Sequence, residues 1–170
     1  SPTAPVPTGI QLAANAYSAY ESSSTLNLTV TRTGDLSAPS TIDYATADGT
    51  ALAGEDYMQV TGTLTFAAGE TSKTVSVPVI NDNVFEGTEN FGLVLSNPTG
   101  NNVNLVYPST ASLQIFHNEN QPSIISNNLS LTEPVAGASS QALFTVRLSN
   151  PTTQTVSVSF ATSNGTASAG

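Results

Sequence analysis

Apolar and polar residues alternate with a period of two along most of the chain. Leu26, Leu28 and Val30 alternate with Asn27, Thr29 and Thr31, and Ile42 and Tyr44 with Thr41 and Asp43. Leu64 and Phe66 alternate with Thr63 and Thr65, and Val75, Val77 and Val79 with Thr74, Ser76 and Pro78. Phe91, Leu93 and Leu95 alternate with Asn90, Gly92 and Val94, and Ala111, Leu113 and Ile115 with Thr110, Ser112 and Gln114. Each pattern turns one face to a core and the other to water, as in a half-buried strand. Turn signals punctuate the runs at Thr33-Gly34-Asp35, Asp48-Gly49, Ala68-Gly69-Glu70, Asn97-Pro98 and Thr99-Gly100. The pattern predicts strands near 10–17, 25–33, 40–47, 57–67, 71–80, 89–96 and 109–117. Short strands at this spacing, with no helical period between them, predict an all-β sandwich or barrel. Pro78 within a strand predicts an edge position or a bulge there.

The chain also repeats itself. Residues 45–54 (ATADGTALAG) recur as residues 161–170 (ATSNGTASAG), a spacing of about 116 residues. At the same spacing Leu28, Val30 and Tyr44 meet Phe144, Val146 and Phe160. This predicts a linker over residues 1–8, with three prolines in SPTAPVPT, then a full unit over 9–121 and a partial second unit over 122–170. Gln121-Pro122 forms a very short junction. A partial sandwich exposes an apolar face and unpaired edges, which points to pairing with a neighbouring repeat or an identical subunit.

Charge narrows the function. Twelve acidic residues oppose three basic ones in a chain of 170, for a net charge of −9. Phosphate binding needs clustered Lys and Arg, so nucleic acid is excluded as a partner, and an anionic membrane surface with it. No apolar run is long enough to span a bilayer. Without cysteine, disulfides and thiolate metal sites are excluded. The acids collect after alternate strands: Glu21 after the first, Asp48, Glu55 and Asp56 after the third, Asp82, Glu86 and Glu89 after the fifth, Glu119 after the seventh. Alternate strands of a sandwich run the same way, so these segments converge at one pole. Converging carboxylates repel unless a cation joins them, and oxygen-only ligands on loops suit Ca²⁺. Zn²⁺ fits poorly, with His117 the single histidine. His117 reads as a solvated loop residue, Asp35 and Asp43 as turn and outer-face residues, and Tyr17, Tyr20 and Tyr107 as packing or rim residues. Gly49, Gly54 and Gly69 serve turns, since no lysine follows to make a phosphate loop. No catalytic constellation emerges, so the chain reads as non-enzymatic.

Residues 46–57 (TADGTALAGEDY) resemble the T-x-D-G-T-A-x-A-G-x-D-Y signature of Calx-beta domains. Residues 62–71, 79–91 and 95–98 are similar to the family's G-x-L-x-F-x-x-G-E-T, I-x-D-D-x-x-x-E-x-x-E-x-F and L-S-N-P segments. The resemblance implies a seven-strand immunoglobulin-like antiparallel sandwich followed by a partial second sandwich, with calcium at the C-terminal pole. It places the metal ligands on Glu21, Asp48, Asp82, Glu86, Glu89 and Glu119. The family's acidic runs are thinned here to Asn81-Asp82-Asn83 and His117-Asn118-Glu119, which implies weak binding, about 10⁻⁴–10⁻³ M. In the second unit Asn164 replaces Asp48 and Glu133 stands in for Glu21.

These features lead to an extracellular or cell-surface structural or adhesive repeat module, with calcium stiffening the junction between units or strands pairing into filaments. Its partners would be neighbouring repeats, identical subunits, or cell-surface or matrix ligands. The alternatives are a regulatory calcium sensor, as in exchangers, and an accessory domain of a larger secreted enzyme.

Overall fold

A computed structural model describes residues 6–163 and 165–166. Residues 6–119 build two packed sheets, and the described residues hold no helix beyond a single 3-10 turn at Glu21–Ser23. The strands are β1 (Thr8–Leu12), β2 (Ala16–Tyr20), β3 (Thr25–Thr33), β4 (Ser40–Ala47), β5 (Thr61–Phe66), β6 (Ser72–Pro78), β7 (Glu89–Thr99), β8 (Val103–Leu105) and β9 (Thr110–Phe116). One sheet has the order β6-β3-β1-β8 and the other β2-β9-β7-β4-β5. This is an all-β, immunoglobulin-like sandwich. The alternating apolar positions meet between the sheets, where Leu28, Val30, Ile42, Phe66, Val77, Leu93 and Leu113 are fully buried. Most Ser, Thr and Asn positions of the same strands face solvent, with Ser40 and Thr46 of β4 buried.

The strands at 25–33 and 40–47 stand where the alternation places them. The first strand does not. It divides into β1 and β2, which lie in different sheets, with Ala13–Asn15 crossing between them. The division introduces two parallel pairings into an otherwise antiparallel body, β1 with β8 and β2 with β9. The switch reverses the phase of the alternation, from Ile10 and Leu12 inward in β1 to Tyr17 and Ala19 inward in β2, a change that a single run over 10–17 passes over. β1 also takes in Thr8, whose hydroxyl donates to the Asp35 carbonyl at 2.6 Å. The strand predicted at 57–67 begins only at Thr61, since Tyr57 bridges Ala53 and Val79 instead of joining the ladder. Pro78 ends β6 on a sheet edge, where its missing N–H costs no ladder bond.

A buried cation ties the far pole together. Arg32 is 1% exposed. It donates to the carbonyls of Ala38, Leu36 and Ala67 and to Ser40 Oγ, and lies 5.6 Å from the Phe66 ring centroid.

Beyond residue 119 the chain forms one short hairpin-like pair, β10 (Ile124–Ser126) with β11 (Val146–Leu148). It repeats the antiparallel pairing of β1 with β3, Ile124 facing Leu148 as Ile10 faces Arg32. The third strand expected in the second unit does not form among the described residues. Val158, the counterpart of fully buried Ile42, is 53% exposed, and Phe160 is 96% exposed. In the first unit β4 is held by β5 and β7, and no described residues supply counterparts of those partners. Asn164 and residues 167–170, which carry the end of the repeat match, lie outside the described residues, as do residues 1–5 of the expected linker.

The segment after β11 returns to the first unit. Phe85 N donates to the Pro151 carbonyl at 3.0 Å, Thr152 Oγ1 to the Phe85 carbonyl at 2.6 Å, and Gln154 Nε2 to the Glu86 carbonyl at 3.1 Å. Asn150 Nδ2 donates to the Asn120 carbonyl at 2.7 Å.

Candidate metal centre

Strand register gathers the acids at one tip. In the parallel β2–β9 pair Tyr20 stands opposite Phe116, so Glu21 and Glu119 leave the sheet side by side. Glu89 opens β7 opposite Ile115, at the same end of β9. The loop after β6 carries Asp82 and Glu86, and the loop after β4 carries Asp48, Glu55 and Asp56.

Two groups of carboxylates result. Asp56, Glu86 and Glu89 place ligand oxygens within 4.8 Å of one another, all three residues half-buried. Burial pushes Glu86 up to about 7, and the charges of Asp56 and Asp82 push the same way. Burial, then Asp56 and Glu86, push Glu89 up to about 7 as well. Glu21 centres the second group. It opens the 3-10 turn and is only 6% exposed. Burial, followed by Glu119, Asp82 and Glu86, pushes it up to about 7. With its amide nitrogen turned toward them, Asn118 lies 3.3 Å from Glu21 Oε2 and 2.7 Å from Glu119 Oε1 and donates to both. Ser24 closes the turn in the left-handed region, and Val79 N donates to its carbonyl at 3.0 Å.

Of the six residues expected as ligands, Glu21, Asp82, Glu86, Glu89 and Glu119 share this electrostatic network. Asp82 also closes a local turn, accepting from Val84 N at 2.7 Å. Asp48 is not one of the trio; its Oδ1 accepts from the Tyr57 hydroxyl at 2.5 Å and from Ala53 N at 3.1 Å. Asp56, which the ligand expectation left out, joins Glu86 and Glu89 in the tightest cluster. The D-Y end of residues 46–57 was the available signal, since burying Tyr57 carries Asp56 to the tip. His117 differs from its expected solvated state. Its ring packs edge-on against Phe85 at 4.5 Å, and its Nδ1 is shielded without a partner among the described residues.

The donor set fits a hard cation. Oxygens bound to one Ca²⁺ at 2.3–2.6 Å stand at most about 5.2 Å apart, and the trio lies inside that span. Three carboxyls held near 7 mark a site that lacks positive charge. Neither basic residue of this unit enters it: Arg32 is at the other pole, and Lys73 pairs with Glu70 at 2.6 Å.

The fold and its tip define a β-sandwich domain with an oxygen-donor pole. The sequence profile of the Calx-beta domain matches residues 6–119 and 129–170, and the chain belongs to the Calx-beta domain family. Sodium/calcium exchanger 1 of Mus musculus is 37% identical over 120 residues, 61% of this chain and 12% of the exchanger. Sodium/calcium exchanger 3 of Homo sapiens is 44% identical over 82 residues, 48% of this chain and 9% of that protein. The chain thus spans about a tenth of the length of these relatives. The apo-form Calx CBD1 domain superposes with a TM-score of 0.63 at 32% identity, covering 65% of this chain and 97% of that one. The calcium binding domain CBD12 of CALX1.1 gives 0.61 at 33% identity, covering 64% and 44%.

These relatives overturn the adhesive, filament-forming reading: they are ion exchangers and calcium-binding domains. The extracellular or cell-surface placement falls with it. The Ser-, Thr- and Asn-rich faces are the solvent sides of ordinary sandwich strands, such as Thr61, Thr63 and Thr65 on β5.

Proposed function

We propose that this chain is a regulatory calcium-sensing part of a larger protein, with the cation held at the tip of the first sandwich. Asp56, Glu86 and Glu89 would hold it directly, with Glu21, Asp82 and Glu119 beside them as a second group. Asp48 contributes at the edge. The observation that carries the reading is three carboxylates from two loops and a strand start whose oxygens share one ion-sized space. The likeness to Calx calcium-binding domains supports the same assignment. The bound cation supplies positive charge. The residues do the rest: without it their mutual repulsion favours protons, and with it Asp56, Glu86 and Glu89 would ionise and hold it in the space they already share. Residues 9–121 form the sensing unit in this reading, and residues after Gln121-Pro122 begin a second domain of the same type.

Calorimetric titration of chelator-stripped protein tests this. The wild type should bind Ca²⁺ in the sensor range, about 10⁻⁷–10⁻⁵ M, tighter than the thinned acidic runs imply because Asp56 joins Glu86 and Glu89, with Glu86→Gln and Glu89→Gln each weakening it. No heat of binding, together with no rise in melting temperature at millimolar calcium, would remove the metal reading.

A further inference from the structure

Tyr57 is fully buried and stacks on Phe91, with ring centroids 3.9 Å apart at 15°. Its hydroxyl donates to Asp48 Oδ1 at 2.5 Å, and Ala53 N donates to the same oxygen at 3.1 Å. No described residue donates to Oδ2. Tyr57 also bridges Val79, at the root of the loop carrying Asp82 and Glu86, and follows Asp56 directly. Asp56 is fixed in turn: its Oδ2 accepts from Leu52 N at 2.7 Å, and Ile80 N donates to its carbonyl at 2.9 Å. The 48–57 loop is fastened on its other side to Asn90, the neighbour of Glu89. Ala51 N donates to the Asn90 carbonyl at 2.9 Å, and Asn90 N to Thr50 Oγ1 at 2.8 Å.

The geometry points to Tyr57 as a positioning residue for the metal loop, its hydroxyl engaging one oxygen of Asp48 and leaving the other for the cation. The inference depends on the calcium reading above. Polar groups behind ligating carboxylates fix their orientation, and their loss typically costs 10–100-fold in metal affinity. A buried tyrosine needs a hydroxyl partner in any case, so stability alone does not distinguish positioning from packing.

The test uses the full chain, with Ca²⁺ alone as the probe. Tyr57→Phe keeps the stacked ring and removes the hydroxyl. It should weaken calcium binding about tenfold or more, and the same change in an Asp48→Asn background should have little further effect. A lower melting temperature in chelator with unchanged affinity would overturn the inference and leave the calcium reading standing. A wild type that binds no calcium would overturn both. A second measurement needs no variant: the buried Tyr57 hydroxyl proton should stay visible by NMR when calcium is added, and its loss would show that the bond breaks on loading.

Discussion

Glu21→Gln should make the metal-free protein more stable at pH 7.5 while weakening its hold on calcium. Glu21 is nearly buried and stands beside Glu119, Asp82 and Glu86, so it keeps its proton up to about 7, against 4.5 as its ordinary value. Its folded-state pKa is raised. The stability it contributes is therefore complete below about 4.5 and is lost as pH rises through 7. The shift corresponds to roughly 3 kcal/mol at ~1.4 kcal/mol per unit. Solvent reaching the rim of the tip reduces this to about 1–2 kcal/mol. Glutamine keeps the shape and the hydrogen bond to Asn118 but cannot ionise. At pH 4.5 the variant and wild type should melt together, and at pH 7.5 the variant should melt about 3–10 °C higher. Part of the wild-type fall with pH should remain, because Glu86 and Glu89 are raised in the same way. Asp35, Asp43 and Glu70 do not interfere: their pKa values are lowered, so their stability is present above their ordinary values and is lost only as pH falls further. Calorimetric melting in chelator across pH 4–8 checks this. An equal gain at both ends of the range, or a loss at pH 7.5, would refute the electrostatic reasoning.

Calcium binding at pH 6.5 should release protons, because carboxyls near 7 must ionise to coordinate; titration heats that do not vary with buffer ionisation enthalpy would contradict this. Arg32→Ala should cost about 2–4 kcal/mol in denaturant unfolding, since it leaves the Ala38 carbonyl without its donor, takes one of two donors from the Leu36 and Ala67 carbonyls, and removes packing on Phe66. Leu113→Ala, at a fully buried position between the sheets, should cost about 2–5 kcal/mol by the same assay. Gly49→Ala puts a methyl 2.3 Å from the Asn90 carbonyl oxygen, so it should lower stability by about 1–3 kcal/mol and weaken calcium binding; unchanged values for both would count against the tight seating of this loop.

Most of the sandwich was legible because its signal is local. A strand with one wet face writes its alternation into the sequence, and Leu26-Leu28-Val30 or Phe91-Leu93-Leu95 can be read without knowing the partner. What escaped depends on partners. The jump of the first strand between sheets shows only as a change of phase, from Ile10 and Leu12 to Tyr17 and Ala19, which does not name the sheet each half joins. Tyr57 looks like the start of a strand until its ring is seen on Phe91 and its hydroxyl on Asp48. The acidic tip was legible from topology, since alternate strands end together. The place of Asp56 in the tightest cluster was not, because it follows the same strand as Asp48 and only the packing of Tyr57 brings it to Glu86 and Glu89. The functional class went astray for a different reason: sandwich faces rich in Thr and Ser are equally at home outside a cell or within one, and carry no address.

The divided first strand also fixes how this body bears tension. β2 runs parallel to β9, joined over five registered positions from Ala16–Ser112 to Tyr20–Phe116. A pull between residue 8 and residue 116 drags these two strands lengthwise past each other, so their bonds resist as a set and do not open one by one like a zipper. Drawn apart in a force microscope, the sandwich should yield in one abrupt event; gradual peeling at low load would mean that the β2–β9 seam is not what holds it closed.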